Sequence, residues 1–129
     1  MIWINFSFLP NKIALTKLLD NIVPLLVSAL DFPCTLSIFG SSLSQVPTSK
    51  NIGRYLTINF CGFVDDVTER ITSADILISP VNSGAGVQTK IIETLALGTK
   101  VITAKSGARG IDLSMCEGAL ICVEDNDWQ

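Results

Sequence analysis

Between Ser79 and Thr103 the chain reads SPVNSGAGVQTKIIETLALGTKVIT. An apolar run stops at Pro80, glycines follow at 84 and 86, and a helical pattern starts near Val87. Glycines leave the backbone bare, so a ligand can approach it closely. The unpaired N–H groups and positive dipole end of the helix that follows attract an anion such as a diphosphate. Gly86, Lys90, Glu93 and Leu97 fall at steps of three or four residues and share one helical stripe. Lys90, one turn in, can meet a phosphate, and Glu93, further along, can accept two hydrogen bonds from a ribose diol. The competing account is an ordinary surface Lys–Glu pair, worth roughly a few tenths of a kcal/mol. Two familiar phosphate motifs do not fit. A P-loop requires GxxxxGK[ST], which GAGVQTKI lacks, and the dinucleotide fingerprint GxGxxG meets Thr89 where its third glycine belongs.

Other chemistries are excluded by composition. The 129 residues contain no histidine, which removes Ser/His/Asp triads, Cys/His pairs and histidine-ligated metals from within the chain. Cys34, Cys61, Cys116 and Cys122 show no CxxC spacing and read as buried free thiols of a reducing compartment. Cys116 and Cys122 could pair only if the loop between them folded back. The net charge of −3, with no basic run, lacks the footprint of a nucleic-acid binder. MIWINFSFLP has neither the basic start nor the small-residue cleavage site of a signal peptide, and no apolar stretch approaches a membrane span. A cytoplasmic location is expected, with membrane contact at most peripheral.

The elements that would position these residues alternate regularly. Apolar runs at 2–8, 35–39, 56–62, 75–80, 101–104 and 119–123 read as six strands. A helical pattern covers about 11–29, with Asn11 as its N-cap and Pro24 kinking it or ending its first part. Asp65 or Asp66 caps a short helix through about Ser73, a role preferred over catalytic acids. A third helix runs from about Val87 to Leu97 with Gly98 just past its end. The polar stretch 41–54 reads as a loop with a poorly defined helical turn, and residues 125–129 as the first turn of a further helix. Strands separated by helices, in a chain 48% apolar and 16% charged, predict an α/β fold. The expected sheet is Rossmann-like, doubly wound and mainly parallel, of about six strands. Ligands of such sheets sit beyond the carboxyl ends of the strands.

The segment GFVDDVTERITSADILISPVNSGAGVQTKIIETLALGTKVITAKSGARGI resembles the C-terminal, nucleotide-sugar-binding domain of retaining GT-B glycosyltransferases. Its matching positions are Gly62, Phe63, Val64, Asp66, Ala74, Asp75, Pro80, Gly84, Gly86, Lys90, Glu93, Ala96, Gly98, Val101, Gly107 and Gly110. The opening strand followed by Pro10-Asn11 and a long helix is similar too. The resemblance implies one half of a GT-B fold that binds a nucleoside diphosphate sugar. By that reading the backbone at Gly62, Phe63 and Val64 lines the base pocket. Gly84, Ala85, Gly86 and Val87 approach the diphosphate and sugar, Lys90 assists at the phosphates, and Glu93 holds the ribose hydroxyls. No metal or other cofactor is implied, and no catalytic residue is assigned.

The chain departs from the family pattern at several places. Many relatives carry an acidic residue eight positions before the final glutamate, and here that position is Ala85. The basic residues expected after the first strand are represented only by Lys12, with Arg109 a conceivable substitute at the phosphates, and Lys100 replaces a proline. A complete enzyme of this kind also has an acceptor-binding domain and a closing helix, for which 129 residues leave no room. Residues 1–129 are therefore expected to be a truncated donor domain, a hexosyltransferase only when joined to an N-terminal acceptor-binding domain in the same or another chain. The alternative is a non-catalytic module that binds a nucleotide or nucleotide sugar. A sugar-nucleotide epimerase fragment is disfavoured by the missing histidine.

Overall fold

The computed structural model describes residues 2–3, 9–40, 48–81, 88–116 and 118–124. The chain divides into two compact units, Met1–Asp65 and Asp66–Gln129. The first contains strand β1 (Ile2–Trp3), helix α1 (Leu9–Lys17), a π-helical turn (Leu18–Ile22), helix α2 (Val23–Ala29) and strands β2 (Cys34–Phe39), β3 (Thr48–Ile52) and β4 (Leu56–Gly62). The second contains α3 (Val67–Thr72), β5 (Ile76–Ser79), α4 (Thr89–Ala96), β6 (Lys100–Ala104), two 3-10 turns (Lys105–Ala108 and Leu113–Cys116) and β7 (Leu120–Val123).

In the first unit the strands lie in the order β1-β2-β4-β3. β1 and β4 both pair parallel to β2, while β3 pairs antiparallel to β4. Leu36, Ile38, Leu56 and Ile58 are buried in alternation, as a half-covered strand requires. The antiparallel β3 replaces the loop expected over 41–54, of which 41–47 lie outside the described residues. The sequence TSKNI carries no apolar alternation because β3 is an edge strand, and an edge keeps polar and lysine side chains toward water. Thr57 Oγ1 donates to Asn51 Oδ1 at 3.0 Å across the pair. The hairpin closes through a three-residue loop that opens on Gly53, whose φ of +69° is left-handed and favours glycine.

The first helical segment also differs from expectation. It begins at Leu9, so Asn11 lies inside α1 and is buried instead of capping it. Proline suits the opening turn of a helix, where its missing N–H costs nothing, and Pro10 takes that place. Pro24 marks the end of the first helical part, as expected. The turn ahead of it widens to π geometry, with the Val23 N–H donating to the Leu18 carbonyl, and Pro24 falls in the first turn of α2. The wide turn leaves both Ile22 and Val23 buried.

In the second unit β5, β6 and β7 form a parallel sheet in that order. Leu77, Val101 and Ile91 are at most 1% exposed and form its core with Ile71. Asp66, not Asp65, caps α3, its carboxylate accepting from the Thr68 N–H at 2.8 Å. Helix α4 ends where Gly98 suggested. Gly98, at φ +82°, donates to the Leu95 carbonyl at 3.0 Å, and the Thr99 N–H reaches back to Thr94 at 3.1 Å. That pair of bonds is the Schellman arrangement. Thr99 Oγ1 then donates to the Ile71 carbonyl at 2.8 Å, tying the end of α4 to α3. The architecture is an α/β fold of the Rossmann-like kind. The strands form two sheets, one per unit, and among the described residues only β3 runs antiparallel.

Candidate functional site

At the carboxyl end of the first sheet, β2 and β4 keep register from Cys34↔Leu56 to Ile38↔Phe60, then skip Cys61 so that Phe39 faces Gly62. One extra residue in β4 is a bulge, and bulges re-aim the chain that follows. Gly62 takes φ +68°, and its carbonyl accepts from the Gly40 N–H at 2.8 Å. The backbone of two strand ends is thereby brought together with no side chain between. Phe63 follows, 71% exposed, and Val64 is half-buried.

The second unit presents its strand ends differently. β5 closes on Ser79, Pro80 and Val81, all buried. Residues 82–87 lie outside the described residues, and with them Gly84, Ala85, Gly86 and Val87. α4 begins two residues later, capped by Gln88 without a side-chain bond. The Gln88 carbonyl accepts the first helical bond, from the Ile91 N–H at 2.9 Å. Ile91 and Thr94 form the buried face of α4, and the Thr94 hydroxyl folds back on the Lys90 carbonyl at 2.6 Å. Lys90 itself is half-buried, and burial holds its amine below the usual lysine range. Glu93, three residues on, is exposed. The two side chains are therefore not equivalent members of one solvated face.

Thr103 Oγ1 donates to the Ser79 carbonyl at 3.1 Å, joining the ends of β6 and β5. The 3-10 turn Lys105–Ala108 then folds so closely that a Cβ on Gly107 would come within 2.4 Å of Thr103 Oγ1 and 3.2 Å of the Val81 carbonyl. Ser79 Oγ is buried with no hydrogen-bond partner among the described residues. Sequence reasoning passed over Thr103 and Ser79. Their signal was a hydroxyl at the last or next-to-last place of a strand.

Arg109 and Lys12 are exposed, and Lys105 pairs with Glu124 at the ends of β6 and β7. All four cysteines are free and half-buried, not fully enclosed as expected: Cys34, Cys61 and Cys122 lie on the only partly covered strands β2, β4 and β7, and Cys116 ends a 3-10 turn. Burial pushes the Cys122 thiol up, Lys105 pulls it down and Cys116 adds to the rise. A raised thiol is a poor nucleophile at neutral pH. Among the described residues no three cysteine or acidic side chains cluster as a metal-ion site.

The sequence profile of the glycosyl transferases group 1 family matches residues 4–128. The chain belongs to this family. Among curated proteins none matches it. Family membership and the α/β fold together place in the chain a GT-B-like glycosyltransferase domain. Of the positions the resemblance singles out, Gly62, Phe63 and Val64 stand at the strand ends of the first unit. Lys90 and Glu93 stand on the first two turns of one helix in the second. Among the described residues no helix is long and apolar enough to cross a membrane.

Proposed function

We propose that the chain is the donor-binding half of a glycosyltransferase. It holds a nucleoside diphosphate sugar and, together with an acceptor-binding domain of the same or another chain, transfers the sugar with retention of anomeric configuration. The observation that carries this reading is α4, entered directly from the glycine-bearing segment 82–87 in a chain matched to the family over residues 4–128. The helix start supplies N–H donors for the diphosphate, and Lys90 adds a positive charge in a partly dry setting where its attraction to phosphate is little screened. Glu93, one turn beyond Lys90 and open to solvent, accepts hydrogen bonds from the ribose diol. The bare backbone at Gly62, with Phe63 and Val64, receives the base. The chain's residues orient and hold the donor, and no cofactor is invoked.

A second reading, a binding module without turnover, is favoured by Ala85, since an alanine cannot hold the sugar hydroxyls as a carboxylate does. Calorimetry of the chain against UDP, GDP and ADP and their sugars tests the common part. At least one nucleotide is expected to bind, and Glu93→Ala is expected to weaken it by roughly 10²-fold or more, the loss of one or two charge-assisted hydrogen bonds. Equal binding of every nucleotide by both proteins would remove Glu93 from the site. Sugar transfer measured with an acceptor-binding domain supplied then separates enzyme from module.

A further inference from the structure

We propose that Cys116 and Cys122 form a redox modification site, in which Cys116 takes a thiol group from a small disulfide and Cys122 displaces it to close a reversible Cys116–Cys122 bridge. Both thiols are free and half-buried, so neither is sealed from solvent. Their spacing in the sequence allows pairing only if the chain between them folds back, and the backbone does so. The Ala119 N–H donates to the Cys116 carbonyl at 2.9 Å, and Gly118, at φ +75°, takes the left-handed conformation that tight reversals use. A turn with that bond brings its first and fourth Cα atoms within about 7 Å. β7 starts at the next residue, Leu120, and Cys122 is its third member. None of these groups belongs to the donor-binding reading, so a failure here leaves that reading untouched.

The surroundings assign an order to the two thiols. Cys122 stands opposite Thr103 of β6. Burial raises its thiol pKa, Lys105 lowers it, and Cys116 raises it again, so each sulfur lies within electrostatic reach of the other. A thiol held in its protonated form attacks slowly, which makes Cys122 the second to react. Cys116 ends the 3-10 turn Leu113–Cys116, where Ser114 is exposed and Met115 is 84% exposed. Little packing therefore resists the movement that brings the two Cα atoms to the roughly 4.4–6.8 Å a disulfide requires. In the first step the Cys116 thiolate attacks one sulfur of oxidised glutathione. The S–S bond breaks, and one glutathione leaves as a thiolate that takes up the proton Cys116 lost. Cys122 then loses its proton and attacks the Cys116 sulfur, and the second glutathione leaves in the same way. Two protein thiols are oxidised to one disulfide, and one glutathione disulfide is reduced to two thiols. Lys105, beside Cys122, stabilises the thiolate of the second step. Cys34 and Cys61 provide an internal contrast. Cys34 stands opposite Leu56, and Cys61 lies five residues further along β4, about 16 Å away, so those two cannot bridge.

The test incubates the full, reduced chain with oxidised glutathione, without denaturant, and blocks the remaining thiols with an alkylating agent. Intact mass and peptide mapping then read the products. The wild type is expected to lose two of its four free thiols, to carry no glutathione, and to yield one cross-linked peptide pair joining Cys116 to Cys122. Cys122→Ser is expected to stop halfway, gaining the mass of one glutathione at Cys116 and holding at least about tenfold more of this mixed disulfide than the wild type. Cys116→Ser is expected to form neither bridge nor adduct over the same time. Dithiothreitol is expected to return the oxidised wild type to four free thiols. Four thiols persisting in the folded wild type overturn the proposal, as does a bridge that involves Cys34 or Cys61 or joins two chains. A folded Cys122→Ser with no adduct at Cys116 overturns the order of attack and the proposal with it. Thermal melting checks that each variant folds, and if neither serine variant does, the wild-type peptide map still decides.

Discussion

Lys90 shows how much one residue's surroundings decide. Its burial disfavours the charged amine, so its pKa in the folded chain lies below 10.5. The unfolded chain then holds the lysine proton more tightly than the folded one. Below the folded pKa both states are protonated and the full cost of burying the charge is present. As pH rises from the folded pKa toward 10.5 the folded amine sheds its proton, and the cost is relieved. Lys90→Met removes that cost at every pH. The difference in melting temperature between it and the wild type is therefore expected to shrink over the alkaline window. For a nucleotide the sign is reversed: the charged amine is the one that attracts phosphate. Affinity for a nucleoside diphosphate is expected to fall as pH rises through the Lys90 pKa, and Lys90→Arg, which stays charged, is expected to flatten that fall. Titrations at several alkaline pH values read both. An unchanged slope in Lys90→Arg would separate this lysine from the phosphates.

At the scale of elements, most strands and helices were legible, and the reasons are local. β4 matches its apolar run, Leu56–Gly62, residue for residue, and the ends of α3 and α4 follow from Asp66 and Gly98. What escaped was set by partners distant in sequence. The edge strand β3 exists because β4 offers it a ladder, and the bulge at Cys61 because β2 and β4 fall out of step. The π turn before Pro24 leaves Ile22 and Val23 both buried. Of the candidate site, a helix bearing Lys90 and Glu93 was readable from spacing, whereas the Thr103–Ser79–Gly107 contact needed two strands and a 3-10 turn to come together. Two glycines turn this into a measurable contrast. Gly98 has open space around it, so Gly98→Ala carries only the strain of left-handed backbone, about 1–2 kcal/mol. Gly53 has the same strain, and in addition its Cβ would stand 2.9 Å from Val27 Cγ1. Gly53→Ala is expected to cost about 2–4 kcal/mol in urea unfolding. Adding Val27→Ala should recover the steric part, so that the double variant is less destabilised than the sum of the singles. Equal costs at Gly53 and Gly98 would mean that the hairpin tip does not press on α2.

The whole molecule sets the electrostatic background for whatever it binds. With nine basic and twelve acidic residues the chain carries −3, so a distant anion meets weak repulsion, and attraction must come from groups within hydrogen-bonding reach. At about 0.1 M salt the Debye length is ~10 Å, which screens that repulsion and leaves short contacts largely untouched. A nucleoside diphosphate held by amides and one lysine should therefore change its affinity by no more than about threefold between 50 and 200 mM salt. A protein that bound a polyanion through many phosphate contacts would lose about 10³–10⁵ over the same interval. The two regimes are separated by titrating UDP, GDP or ADP and a single-stranded oligonucleotide in parallel at both salt concentrations. The expected result is a nearly flat line for the nucleotide and no saturable binding of the oligonucleotide even at 50 mM. A steep slope for the oligonucleotide would place a basic surface on this acidic chain, and the donor site would then have to be sought as part of a polynucleotide groove.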